Sequence, residues 1–173
     1  LGEPDVLTGA SNALRGFNTT VGTVSYKWSE IVKRGSITVG GGDHNLNFQR
    51  IHNAWVGRYG DSEDWSWGAE IESSRSESDG TISFGDHSLD RTSGRIQLLG
   101  PDSQTDLVFG YQDKFFGLPG MYTGNEAANR ETEDIQTRLI VLNHHLEYDS
   151  ASFWEASVFH RRLSDHFILR RDN

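Results

Sequence analysis

The sequence predicts an all-β protein, and three observations lead to that prediction. Its 173 residues include 19 Gly, only three Pro, nine Phe, five Trp and five Tyr, a composition typical of a β protein rich in turns. Apolar and polar residues alternate in several segments, whereas helical periodicity is hard to find. Residues 131–148 and 153–170 form two arms around a short polar break, and each arm is far longer than an ordinary strand of about five or six residues. We therefore expect an antiparallel meander.

The first 34 residues differ from the rest of the chain. Residues 8–16 are mostly small and suit tight turns. Val24, Tyr26 and Trp28 then alternate with polar neighbours, which predicts a short strand within residues 22–28. We interpret this part as the end of a compact unit that precedes the meander.

From residue 35 onward the pattern predicts seven strands. The clearest alternation places Trp65, Trp67, Ala69 and Ile71 on one face, with Glu70 among the polar residues on the other. The predicted strands cover residues 35–40, 48–59, 65–72, 95–98, 106–112, 131–148 and 153–170.

The connections between these strands alternate between brief and long. Turns are expected near Gly60, Pro101 and Ser150, and long polar connections at residues 73–90 and 114–130. The connection around His44 is intermediate in length. A bacterial outer-membrane barrel has short periplasmic turns, long extracellular loops and aromatic girdles at both interfaces. The aromatic residues beside the short turns are Trp55, Tyr59, Trp65, Trp67, Tyr148, Phe153 and Trp154.

A membrane barrel is compatible with the polar composition. The mean hydropathy is −0.59, and no segment approaches the roughly 18 apolar residues of a membrane-spanning helix. Barrel strands alternate lipid-facing and lumen-facing residues, so they never build such a run. In a barrel, Trp65, Trp67, Leu107 and Phe109 would face lipid. Two alternatives are a soluble or cell-surface lectin-like β-sandwich with a ligand site on its loops and a small closed barrel of about eight strands. The sandwich would bury these four side chains in its core.

Several short motifs also carry a resemblance to a known family. They are a small-residue run at 8–16, Gly-Thr-Val-Ser-Tyr at 22–26, Gly-Ser-Ile-Thr-Val-Gly-Gly-Gly at 35–42, Phe-Gly-Tyr-Gln at 109–112, Phe-Gly-Leu-Pro-Gly-Met-Tyr-Thr at 116–123, Glu-Thr-Glu-Asp at 131–134 and Asn-His-His at 143–145. Their order resembles TonB-dependent outer-membrane receptors of the cobalamin-receptor-like or siderophore-receptor-like branch. The five residues at 17–21 depart from it, because a shorter join before the Gly-Thr-Val strand is expected.

The resemblance implies two domains. Residues 1–34 would be the C-terminal end of a plug domain, and residues 35–173 the first strands of a transmembrane β-barrel. The chain would then be an interior fragment of a longer protein. Because a partial barrel has two open edges, which lipid does not tolerate, we expect the segment alone not to form a stable membrane species.

The resemblance also implies a function. The protein would take up a bulky nutrient, such as a siderophore, cobalamin or another metal chelate, across the bacterial outer membrane. Its partners would be that nutrient, outer-membrane lipid and the inner-membrane TonB complex, which acts through the plug. Nucleic acid is not an expected partner, because the formal net charge is −9.

The expected ligand contacts lie in the two long connections and rest on position. Aromatic and Met side chains offer apolar surface to a bulky ligand, while Asn and acidic residues add polar contacts. The candidate ligand-binding residues are Phe84, Asp86, His87, Met121, Tyr122, Asn125 and Glu126.

Neither catalysis nor a cofactor is expected. The run Gly40, Gly41 and Gly42 lacks the Lys-Ser/Thr of a phosphate-binding loop, and Gly-x-Ser-x-Gly does not occur. Glu70 and Glu72 share a face and are expected to bond the plug or water rather than to act as an acid/base pair.

A metal site is also not favoured. Asp86, His87 and Asp90 offer cation ligands, but solvated loop charges are the favoured interpretation. His144 and His145 are adjacent on a strand, so they should point to opposite faces. The absence of cysteine excludes thiolate sites.

Overall fold

The structure, a computed structural model, describes residues 4–8, 22–26, 28–60, 64–124, 130–149 and 152–171. The chain divides into two compact units, Leu1–Glu30 and Ile31–Asn173. The first contains two antiparallel strands, β1 (Pro4–Thr8) and β2 (Gly22–Tyr26). Within the described ranges, no helix is long and apolar enough to cross a membrane.

The second unit is a seven-stranded antiparallel meander, and each strand pairs with the next along the chain. The prediction of an all-β fold with this topology is confirmed. The strands are β3 (Arg34–Gly41), β4 (Asn47–Arg58), β5 (Ser66–Ser78), β6 (His87–Leu99), β7 (Ser103–Gly117), β8 (Thr132–Asp149) and β9 (Ser152–Ile168).

The long connections are shorter than the sequence suggests. β5 continues to Ser78 and β6 begins at His87, so only residues 79–86 of the predicted loop 73–90 lie between strands. Polar residues occupy both faces there, which hides the alternation, but backbone pairing continues and the Ser73 and Thr92 hydroxyls lie 3.1 Å apart. β7 likewise extends to Gly117, which shortens the second connection to residues 118–131.

The short connections lie at one end of the sheet. The Tyr59 amide donates to the Trp65 carbonyl at 3.0 Å, and this bond closes the β4–β5 connection. The Glu147 amide donates to the Asp102 carbonyl at 2.8 Å, and this bond joins β8 to the β6–β7 turn. The β8–β9 register is irregular between Glu147 and Asp149. The connections at residues 42–46, 79–86 and 118–131 lie at the other end.

Neighbouring residues of a strand point to opposite sides of the sheet, and residues paired between strands share a side. The register therefore assigns most large apolar side chains of the central strands to one face, which we call the apolar face, and we call the opposite face the polar face. We define the apolar face by its large side chains. They are Ile37, Val39, Ile51, Trp55, Trp67, Ile71, Ile96, Leu98, Leu107, Phe109, Tyr111, Ile140, Leu142, Trp154 and Val158.

In the central strands, burial on the two faces is inverted relative to a water-soluble sheet, whereas the edge strand β9 also carries exposed Phe153, Phe159 and Leu163 on its polar face. Every one of the large side chains that define the apolar face is exposed, from 37% for Leu107 to 77% for Ile37. The polar face, by contrast, holds Asp106 and Gln97 at 0% and 1% exposure. The sequence of β8 is apolar on both sides at residues 139–142. The register places Ile140 and Leu142 on the apolar face of the sheet and Val141 on the polar face.

Candidate binding site

The loop at residues 79–86 is fastened against the sheet by a cluster that we call the loop clasp, made of Phe84, Asp86, Gly117, Arg130 and Arg171. The Asp86 carboxylate accepts two hydrogen bonds from the Arg171 guanidinium, at 2.9 and 3.0 Å. The Arg130 guanidinium lies 4.2 Å from the Phe84 ring centroid, a distance at which a cation attracts an aromatic face. The clasp joins the loop to the start of β8 and the end of β9.

Two backbone features make the loop clasp possible. Phe84 has a φ of 62°, which is rare for a residue with a side chain. The Gly117 amide donates to the Asp86 carbonyl at 2.8 Å. A Cβ on Gly117 would lie 1.7 Å from the Phe84 carbonyl oxygen, so only glycine allows this approach.

Tyr122 is held in the second long connection by three contacts. Its amide donates to Glu131 Oε2 at 3.0 Å, and its hydroxyl donates to Glu133 Oε1 at 2.6 Å. Its ring meets the Phe167 ring edge to face at 5.4 Å. The Glu133 carboxylate accepts the phenol proton and raises the pKa of Tyr122 above 10.0, because ionisation would break the bond and set two negative charges together.

Two buried oxygens lie at the base of this connection without a hydrogen-bond donor. Glu131 is 0% exposed and Thr132 is 1% exposed. Glu131 Oε1 and Thr132 Oγ1 have no partner among the described residues. Buried polar atoms are normally bonded to protein or to ordered water.

The structure brings some candidate ligand residues together and separates others. Phe84 and Asp86 both belong to the loop clasp, whereas Tyr122 packs against β8 and β9. His87 opens β6, with its Nε2 3.3 Å from the Ser76 hydroxyl. Met121 is 69% exposed in the second connection. Asn125 and Glu126 lie outside the described residues, and ligand contact by any of the seven candidates stays a prediction.

The three loop residues considered as cation ligands do not assemble. Asp86 bonds Arg171, and His87 and Asp90 lie on opposite faces of β6, with Asp90 paired in register with Arg75. In the described ranges, no group of three or more His, Cys, Asp or Glu side chains is placed to hold a metal.

His144 and His145 point to opposite faces, as the sequence predicts. His144 Nδ1 lies 2.8 Å from the Thr105 hydroxyl on the apolar face. The His145 ring stacks on Phe153 at 5.1 Å on the polar face. The two rings therefore cannot share a ligand.

A buried charge network occupies the polar face. Arg95 Nε donates to Asp106 Oδ1 at 2.8 Å, and Gln97 Nε2 donates to the same oxygen at 3.1 Å. Gln104 Nε2 reaches Asp106 Oδ2 at 2.6 Å. Glu70, on the neighbouring strand β5, extends the network, because its carboxylate lies 3.8 Å from Arg95.

Within the sheet, the paired glutamates contact side chains of other strands, and their expected contacts with the plug or water stay a prediction. Glu70 lies 3.4 Å from His52 and 3.7 Å from Arg34, and Glu72 pairs with Arg50 and lies 4.0 Å from Arg91. Arg50 and Arg91 come from the strands on either side of β5, whereas Arg34 reaches Glu70 from β3, so strand register selects these partners.

The network also receives a backbone group from outside the strands. The Ile31 amide donates to Gln97 Oε1 at 2.9 Å, and the Ile31 side chain is 3% exposed. A Cβ on Gly68 would lie 2.7 Å from Ile31 Cβ, so the glycine makes room for the isoleucine. Ile31 thereby covers part of the polar face.

Sequence reasoning missed Arg95, Asp106, Arg130 and Arg171. Arg95 and Asp106 flank the turn predicted near Pro101, and that spacing could have marked them as neighbours across the hairpin. Arg130 and Arg171 could have been suspected as cations flanking predicted strands. Comparison with protein-family profiles, with curated proteins and with solved structures gave no match to this chain.

Proposed function

We propose that the protein is part of a TonB-dependent outer-membrane receptor that takes up a bulky nutrient, such as a metal chelate. One observation carries the proposal: the large side chains of the apolar face are exposed, while charged groups of the opposite face are buried. Water disfavours that arrangement by roughly 25 cal/mol for each Å² of exposed apolar surface. Lipid favours it, because a membrane barrel turns its apolar face outward and its polar face inward.

Strand length supports the same placement. Residues 138–148 of β8 run from Arg138 through Ile140 and Leu142, all on the apolar face, to Tyr148 near the short turn. A membrane strand tilted by about 45° needs about 9–11 residues to span the hydrocarbon core. β8 therefore has the length, the apolar centre and the terminal aromatic residue of such a strand.

In this proposal the long connections form the external face. The exposed side chains of Met121 and Tyr122 offer apolar surface there. The first unit would belong to a plug, through which an inner-membrane TonB complex supplies energy.

Cysteine scanning tests the membrane placement, and these 173 residues contain no cysteine of their own. Phe109→Cys on the apolar face and Val108→Cys on the polar face, each in the full-length native protein, would carry a bimane label. We expect brominated-chain lipids to quench the label at position 109 and to leave the one at position 108 bright. Equal quenching, or ready reaction of Phe109→Cys in membranes with a maleimide that cannot enter lipid, would contradict the proposal.

Uptake tests the transport step separately. A strain without the gene should fail to grow when one metal chelate or cobalamin is its only source of that nutrient. Restoring the gene should restore uptake of the labelled nutrient, and an uncoupler should abolish the uptake while leaving surface binding intact. Binding without energised uptake would instead indicate a surface binding module.

A further inference from the structure

Two arginines face each other on the apolar face of the sheet. Arg138 of β8 pairs in register with Arg162 of β9, and both side chains are exposed. On the same face, the apolar residues Ile140, Leu142 and Val158 lie between this arginine pair and the short-turn end of the sheet. The pair therefore lies at the border of the apolar surface, on the side of the long connections.

This juxtaposition is unfavourable without an anion. Like charges directly opposite on neighbouring strands repel each other. Neither guanidinium forms a salt bridge with any residue that the structure describes, and Arg138 makes one ring contact, 6.0 Å from the Tyr111 centroid. Asp113, diagonal to Arg138 in the strand register, accepts hydrogen bonds from Tyr111 and Gln136, each at 3.1 Å.

The position of the pair matches that of a lipid headgroup. In β8, the segment 138–148 runs from Arg138 to Tyr148, and in β9 the segment 154–162 runs from Trp154 to Arg162. In both segments the aromatic residue lies at the short-turn end and the arginine at the other end. Both segments have about the 9–11 residues of a tilted membrane strand. Long Arg side chains extend from such a border toward the headgroup layer while their stems cover apolar surface.

We propose that Arg138 and Arg162 together bind the phosphate of an anionic membrane lipid. A guanidinium presents a planar fork of donors that bonds phosphate oxygens in pairs, and two opposed forks can share one phosphate. Gln136 and Ser164, the next paired residues on this face, add polar groups above the arginines. The lipid neutralises the repulsion and joins the last two strands. This inference rests on the proposed membrane placement.

Native mass spectrometry of the full-length protein from nanodiscs tests the lipid site. The discs contain phosphatidylcholine with a minority of phosphatidylglycerol. The wild type should retain phosphatidylglycerol preferentially, and Arg138→Gln/Arg162→Gln should retain about tenfold less, because charge-assisted hydrogen bonds are lost. Arg161→Gln is the matched control, since Arg161 is an exposed neighbour on the opposite face, and it should retain the lipid.

Equal retention by the wild type and the double variant would overturn the proposal. Displacement of the lipid by inorganic phosphate alone would also overturn it, because the site would then bind a free ion. If the double variant does not fold, the single variant Arg162→Gln on the last strand serves with the same expected direction. Quenching of bimane at Phe109→Cys in the same discs separates the two proposals: quenching without a lipid preference contradicts only the lipid site, whereas loss of quenching contradicts the membrane placement.

Discussion

The Arg95 guanidinium and the Asp106 carboxylate form a salt bridge of 2.8 Å on the polar face, across the turn between β6 and β7. The Arg95 side chain is 6% exposed and the Asp106 side chain is 0% exposed. Water is therefore excluded from the pair, and each charge depends on the other for its compensation. Gln97 and Gln104 occupy further acceptor positions of the same carboxylate.

Asp106→Ala should destabilise the protein strongly. The change leaves the Arg95 charge buried without its shortest partner, and breaking a buried pair in this way costs about 3–5 kcal/mol. Urea unfolding of the full-length protein in detergent measures the free energy of unfolding. Glu77→Ala is the control, because the Arg75–Glu77 pair is exposed and such pairs contribute about 0–1 kcal/mol. Equal losses in the two variants would contradict a special role for the buried pair.

Gly94→Ala should be destabilising because an aromatic ring occupies the space of the missing side chain. A Cβ on Gly94 would lie 2.2 Å from Phe109 Cζ on the apolar face. Because Phe109 is 39% exposed and its ring can shift, the cost should lie near the lower end of the about 1–3 kcal/mol of overpacking. Unfolding in detergent checks this value.

Gly110→Ala is the matched control for that experiment. Gly110 lies on the next strand, and a Cβ there would lie 3.8 Å from its nearest neighbour, Leu139 Cβ. Neither glycine has a positive φ. We expect the control to be neutral or to gain roughly 0.4–1 kcal/mol through reduced freedom of the unfolded chain. A loss in Gly110→Ala as large as in Gly94→Ala would show that the ring contact is not the cause.

Gly117→Ala should release the loop clasp. The Phe84 carbonyl that a new Cβ would strike belongs to the backbone and cannot rotate away as a side chain can. We expect the bond between the Gly117 amide and the Asp86 carbonyl to break, so hydrogen exchange at the amide of position 117 should accelerate. The same measurement on Gly110→Ala should show unchanged exchange at position 117. Full protection of that amide in Gly117→Ala would contradict the described approach of the loop.

Tyr122 should titrate above its ordinary pKa. Its hydroxyl donates to Glu133, which favours the neutral phenol and raises the pKa above 10.0. The contact therefore stabilises the loop at pH values below 10 and is lost as the pH rises through the raised pKa. Ultraviolet difference titration of wild type against Tyr122→Phe isolates this phenol.

Glu133→Gln is the partner variant for the titration. It keeps an acceptor oxygen and removes the negative charge, so the pKa of Tyr122 should fall toward 10.0. An identical titration midpoint in the wild type and in Glu133→Gln would show that the carboxylate does not hold the proton.

Much of the fold was predictable wherever one face of a strand is apolar. Trp67 and Ile71 alternate with Glu70 and Glu72, and β5 follows that alternation. The prediction failed beyond residue 72, where polar side chains lie on both faces. Strand pairing there depends on backbone hydrogen bonds, which have no side-chain signature.

The candidate site was predictable only in part. The sequence indicated that Phe84 and Tyr122 lie in connections between strands, and both connections lie at the same end of the sheet. Their partners Arg171 and Phe167 lie far along the chain. Contacts between distant segments depend on register and strand length, and neither can be read from local spacing.

By itself the sequence determined that the chain forms an antiparallel β meander with one apolar side, because side-chain alternation is a local property of a strand. Only the tertiary structure decided that the apolar side is exposed and that Arg95, Gln97 and Asp106 lie buried on the other. Alternation fixes which residues share a face. Burial depends on what packs on that face, and here the polar side chains of adjacent strands pack on one another and Ile31 covers part of them.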